Sequence, residues 1–216
     1  MKDDALDALL GRLDEFLDRA ESLLPGASPP VDWGRCHACR WRPRAQGGAL
    51  EPVPEVHAIR LADLRGIDRQ REVLARNTRQ FVAGLPANNA LLWGSRGTGK
   101  SSLVKALLNE YAPRGLRLVE VEPHDLIHLP DIVASLRGRE QRFVLFSDDL
   151  SFEAEDPGYK ALKAVLDGSV AAVPDNVVIY ATSNRRHLMP EYLKENLEAR
   201  NVDGEIHHGE AVEEKV

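Results

Sequence analysis

The 216 residues carry 28 Lys and Arg against 34 Asp and Glu, a formal net charge of -6, and at 43% hydrophobic content they can bury one sizeable core with a small appendage. The acidic balance excludes a surface that grips nucleic acid or anionic lipid all over, because such binding rests on clustered Lys and Arg. No apolar run approaches the roughly 20 residues that cross a bilayer, and the N-terminus lacks the basic-then-apolar profile of a signal peptide, so a cytoplasmic protein with no membrane contact is expected.

From Asp3 to Leu24 the apolar positions Leu6, Leu9, Leu13, Phe16 and Leu17 fall on one stripe, which predicts an N-terminal amphipathic helix. That stripe packs on the chain itself or binds a partner or another copy. Pro25, Gly26, Pro29 and Pro30 end the helix, and the Pro and Gly content up to residue 55 reads as an irregular connector. Domain limits of 1–55 for helix and connector, 56–198 for the globular core and 199–216 for a polar tail follow.

Inside the connector, WGRCHACRWRPR holds the only two cysteines, Cys36 and Cys39. Two cysteines are too few for a disulfide scaffold and fit a reducing compartment. One Cys-x-x-Cys supplies half of the four ligands of a structural zinc. Four arginines with two tryptophans suit single-stranded nucleic acid, which the net charge does not support. The plainer reading has the tryptophans packing on the core while the arginines pair with its acidic surface.

Beyond residue 56 helices and strands alternate. Ile67, Val73, Leu74, Phe81 and Val82 suit a helix that Gly84 and Pro86 end, and Asn88 to Trp93 reads as a buried strand. Further helices are expected around 103–111, 132–136 and 159–166, with strands at 116–121, 142–146 and 176–182. Such alternation predicts an α/β fold with a mostly parallel sheet covered on both faces.

The first strand runs into Gly94-Ser95-Arg96-Gly97-Thr98-Gly99-Lys100-Ser101, followed by Ser102. Glycines at this spacing let backbone N–H groups approach phosphate oxygens at a helix start. Lys100 would reach the β and γ phosphates of ATP, and the Ser101 hydroxyl would ligate magnesium. The plain alternative is a glycine-rich strand-to-helix turn.

The apolar run Phe143 to Phe146 ends in Ser147-Asp148-Asp149, placing two carboxylates at a strand's C-terminal end, where open α/β sheets bind ligands. Asp148 would hold magnesium through water, and Asp149 would activate the attacking water. A capping role for both acids is the alternative. Asn184 closes the last strand, where its amide can meet the γ phosphate or the water, or simply make a turn.

Together, GSRGTGKS, FVLFSDD and VVIYATSN resemble the Walker A, Walker B and sensor 1 segments of the AAA+ ATPases, over roughly Leu61 to Glu191. More narrowly, LADLRGIDRQREVLARNTRQFVAGLPANNALLWGSRGTGKSSL and DDLSFEAEDPGYKALKAVLDG followed by YATSNRRHL resemble an uncharacterised bacterial ATP-binding family, domain of unknown function 815. The resemblance implies a P-loop NTPase fold with a five-stranded parallel sheet sandwiched by helices, ATP and magnesium as ligands, and a hydrolase whose turnover of ATP drives a conformational change in an oligomer or protein client. It also implies that Leu61 to Asp68 lies near the adenine.

Two departures stand out. AAA+ proteins usually carry Glu where this chain has Asp149, and misplacing a catalytic group by about 1 Å costs on the order of a hundredfold. Slow turnover is expected unless Glu153 or Glu155 substitutes. The chain ends in a polar stretch where family members continue with an arginine finger and a helical lid, so a truncated product without a lid is expected. Arg185 and Arg186 serve either as a solvated pair or toward a neighbouring subunit's γ phosphate. A nucleotide-dependent switch that does not hydrolyse ATP is the alternative function.

Overall fold

The computed structural model describes residues 30–44, 47–152, 156–166 and 173–184, together with the backbone of 200–202 and 205–207. The helix expected over 3–24 lies outside them, as do Glu153, Glu155, Arg185 and Arg186.

Six strands form one sheet: β1 (Ala38–Pro43), β2 (Gly48–Pro52), β3 (Ala90–Trp93), β4 (Leu116–Glu120), β5 (Arg142–Ser147) and β6 (Val177–Ser183), in the order β2-β1-β4-β5-β6-β3. All neighbours pair in parallel except β2, which runs antiparallel to β1 at the edge. Helices α1 (Asp68–Val82), α2 (Lys100–Tyr111), α3 (Leu129–Leu136) and α4 (Pro157–Leu166) link the strands. The α/β class with five parallel strands therefore stands.

One of those five strands comes from an unexpected place. Residues 38–43 and 48–52, read from the sequence as irregular connector, form β1 and β2, so the core begins well before residue 56. The physical signal is period-two alternation: Cys39 and Trp41 are buried, whereas Arg40 and Arg42 point outward. Flanking Pro and Gly residues mask it. Trp33 packs edge-on against Phe143, with ring centroids 4.9 Å apart. Arg40 pairs with Glu120 of the adjacent β4 at 2.6 Å. The reading in which tryptophans join the core and arginines meet acidic partners thus describes this stretch.

Alternation along the central strands divides the core into two layers. Phe143 and Leu145 of β5, with Val177 and Ile179 of β6, pack among Leu129, Ile132 and Leu162 from α3 and α4. Val144, Phe146, Val178 and Tyr180 pack among Leu74, Phe81, Leu103 and Leu107 from α1 and α2. The buried Tyr180 hydroxyl meets Thr78 Oγ1 at 3.0 Å and accepts from Asn77 Nδ2 at 3.0 Å. Asn77 Nδ2 also donates to Asn88 O at 2.8 Å, which ties α1 to the approach of β3.

β3 itself differs from the buried strand expected. It ends the order of the sheet, so Leu91 and Trp93 are 39% and 56% exposed while Ala90 and Leu92 face inward. In the segment read as a polar tail, Arg200–Val202 (β7) and Glu205–His207 (β8) pair as an antiparallel ladder. Among the described residues no helix is long and apolar enough to cross a membrane.

Candidate functional site

The turn from β3 into α2 is shaped by glycine. Gly97 and Gly99 have φ of 77° and 85°, the left-handed region that costs an L side chain roughly 1–2 kcal/mol. A Cβ on Gly99 would also touch Ile67 Cδ1 at 3.7 Å and Leu64 Cδ2 at 3.9 Å, so the 61–68 segment packs beside this loop. The first amides of α2, which follow this loop, have no acceptor within their helix.

Three groups converge in front of the loop. Lys100 Nζ donates to Gly94 O and Ser95 O, each at 2.8 Å, and to Asn184 Oδ1 at 3.2 Å. Thr98 Oγ1 donates to Ser95 O at 2.9 Å, bracing the turn. Across the cleft, the Ser101 hydroxyl donates to Asp148 Oδ1 at 2.6 Å.

Neighbouring β6 positions both acids. Thr182 Oγ1 donates to Asp148 and accepts from the Asp149 amide at 2.9 Å. Leu150 N donates to Thr182 O at 2.7 Å, and Ser183 Oγ donates back to Leu150 O at 2.7 Å. Clamped between these bonds, Asp149 takes φ 54°, the only positive value at a described non-glycine residue. Asn184 Nδ2 donates to one Asp149 oxygen, and Arg96 Nη2 lies 3.4 Å from the other. That ion pair is largely exposed and adds little by itself.

These residues line a cavity of about 300 Å³ bounded by Arg96 to Ser102, Asp148, Asp149, Thr182 and Asn184. Gly94 and Ser95 contribute carbonyl acceptors for Lys100. All the sequence-derived candidates within the described residues therefore meet at one place. Thr182 was missed; it lies near the end of β6, two positions before Asn184.

The donor set is all oxygen: a hydroxyl and a carboxylate already within 2.6 Å of each other. Hard oxygen ligands of this kind fit magnesium, which keeps several waters and takes one or two protein groups. The ammonium of Lys100, facing only neutral acceptors, has the capacity to bind an anion more strongly than its present partners.

Comparison with known proteins adds the following. No curated protein matches the sequence. Solved structures similar to this chain include DnaI, with a TM-score of 0.41 and 23% identity over 71% of this chain and 78% of DnaI. A RuvB variant from Thermotoga maritima is similar with a TM-score of 0.44 and 20% identity over 61% of this chain and 43% of RuvB. AMPPCP-bound DnaA from Aquifex aeolicus is similar with a TM-score of 0.41 and 19% identity over 62% of this chain and 43% of DnaA. The chain thus spans less than half of the RuvB and DnaA chains it matches. A family profile described as "Protein of unknown function (DUF815)" matches residues 34–216, which includes β1, the loop and both acids, and the chain belongs to that family.

Proposed function

We propose that this chain is an ATPase of AAA+ type that binds ATP with magnesium at the β3–α2 loop and hydrolyses it slowly to ADP and phosphate. The observation that carries the reading is the contact between Ser101, at the start of α2, and Asp148, at the tip of β5. A structural turn has no need of a carboxylate against its first helical hydroxyl, whereas a divalent cation would need oxygen ligands of this kind.

Lys100 exchanges its carbonyl partners for β and γ phosphate oxygens, a gain because charged acceptors bind an ammonium more strongly than neutral ones. Ser101 and Asp148 would hold magnesium, which would supply positive charge against the charge developing on the phosphates. Asp149 takes a proton from the attacking water, and Asn184, in reach of both Lys100 and Asp149, positions that water or the γ phosphate. Leu64 and Ile67 beside Gly99 form the flank of the adenine pocket. Turnover drives a conformational change in an oligomer of this chain or in a protein client.

Titration with magnesium ATP tests the cradle. Lys100→Ala removes a charged hydrogen bond of about 1.5–3 kcal/mol, so affinity should fall about ten- to a hundredfold. Unchanged affinity would show that nucleotide does not bind here.

A second reading, a nucleotide-dependent switch that does not turn over, draws support from Asp149: its side chain is shorter than Glu and is engaged by Arg96 and Asn184. Asp149→Asn separates the two. Binding is retained in both, and phosphate release is lost only if the protein hydrolyses ATP.

A further inference from the structure

The turn that feeds β1 brings the two cysteines of the chain together at the opposite edge and opposite end of the parallel sheet from the loop. Their sulfurs lie 3.4 Å apart. The turn is pinned by Arg35 N and Cys36 N, which donate to Asp32 O at 3.1 and 2.8 Å, and by Gly34 N, which donates to Asp32 Oδ1 at 2.9 Å. Cys36 is half-buried and reaches solvent, whereas Cys39 sits inside the core beside Trp33 and Trp41.

A buried cation accompanies the pair. Arg117 of β4 is 6% exposed and donates to Trp33 O at 2.8 Å, Ala112 O at 3.0 Å and Leu116 O at 2.7 Å. Those acceptors are all neutral, and among the described residues no carboxylate pairs with it. Burial pushes its guanidinium down from the ordinary arginine value, and Cys36 opposes that shift. A buried guanidinium held only by carbonyls makes its surroundings electropositive, a setting that favours thiol chemistry. Two thiols alone do not make a zinc site, and among the described residues no group of three or more metal-ligating side chains occurs.

We propose that Cys36 and Cys39 form a reversible disulfide on exposure to hydrogen peroxide, with Cys36 as the attacking sulfur and Cys39 as the resolving one. Cys36 sulfur displaces one peroxide oxygen as water and becomes a sulfenic acid. Cys39 sulfur then attacks the Cys36 sulfur, and its proton leaves with the sulfenic oxygen as a second water. Two thiols are oxidised by two electrons, one peroxide is reduced to two waters, and the S–S bond is the only bond that joins protein atoms. The sulfurs need only close from 3.4 Å to about 2.05 Å across a turn of three residues' separation. Burial raises the Cys39 thiol, consistent with its waiting protonated as the second participant. The disulfide fastens the 33–36 turn to β1 and leaves the loop untouched, so this inference stands apart from the ATPase reading.

The test treats the full chain with hydrogen peroxide, alkylates the remaining thiols after unfolding and measures intact and peptide masses. The expected product has lost about 2 Da, carries no alkyl group on Cys36 or Cys39, and regains both thiols in dithiothreitol. Cys39→Ser should instead gain about 16 or 32 Da of oxygen at Cys36, and Cys36→Ser should leave Cys39 unoxidised. Oxygen on Cys36 with Cys39 still alkylated, covalent dimers, or two free thiols at a peroxide dose that oxidises Cys39→Ser would each overturn the proposal. Oxidation of Cys39 in Cys36→Ser as fast as the wild-type reaction would overturn the assigned order.

Discussion

The Ser101 hydroxyl donates to Asp148 Oδ1 at 2.6 Å, joining the first turn of α2 to the tip of β5. The two residues are 47 positions apart in sequence, and the contact exists because β5 lies next but one to β3 in the sheet. Ser101→Ala removes a hydroxyl from the proposed magnesium position while leaving Lys100 in place. Magnesium ATP affinity should fall about ten- to a hundredfold, as for a lost hydrogen bond to a charged group, with ATP binding in EDTA nearly unchanged. Titrations with and without the metal read the difference directly.

Thr182 is the least obvious member of the site. Its hydroxyl serves Asp148 and the Asp149 amide at once, so Thr182→Val leaves a part-buried donor and a carboxylate acceptor without this partner in one step. A loss of about 1–3 kcal/mol in denaturant unfolding is expected. Phosphate release should fall further than magnesium ATP affinity, because the strained turn at Asp149 loses its clamp.

Strand β1 belongs to the core, which makes the N-terminal boundary testable. Trp41 is 4% exposed, and Trp41→Ala should cost about 3–5 kcal/mol. A chain begun at Val56 discards Trp33, Cys39 and Trp41 and uncovers β4, and it should fail to give a cooperative unfolding transition where one begun at Pro30 succeeds.

Alkaline pH should unfold the protein through two buried acids. Burial raises both the Cys39 thiol and the Tyr180 hydroxyl. Each group becomes charged on losing a proton, and the folded state resists that loss, so the unfolded chain releases protons first as pH rises. Stability is intact below about 8.5, the unfolded cysteine value, declines above it, and steepens past about 10, the tyrosine value. Cys39→Ala should flatten the first part of that decline and Tyr180→Phe the second, read as slopes of unfolding free energy against pH.

Much of this was legible in the sequence where a local pattern and a global role coincide. Phe143 to Phe146 is a short apolar run among alternating helices and strands, and Asp148 and Asp149 follow at its end, so the strand and the place of both acids were readable locally. The glycine loop and α2 were equally plain. β1 was hidden because its alternation spans only Cys39 to Arg42 and sits among residues that break strands elsewhere. Thr182 became a hub only once β6 lay beside β5, and no pattern within β6 reveals that neighbour. The exposed side of β3 likewise follows from strand order, which apolar composition alone does not encode.

Phosphate release from magnesium ATP, measured for the wild-type chain beside Lys100→Ala and Asp149→Asn, tests the central claim most directly. The account predicts slow release that scales with protein, vanishes in Lys100→Ala and falls by about a hundredfold or more in Asp149→Asn. Equal release from all three proteins, or ATP bound by the wild type with no phosphate released, would contradict it.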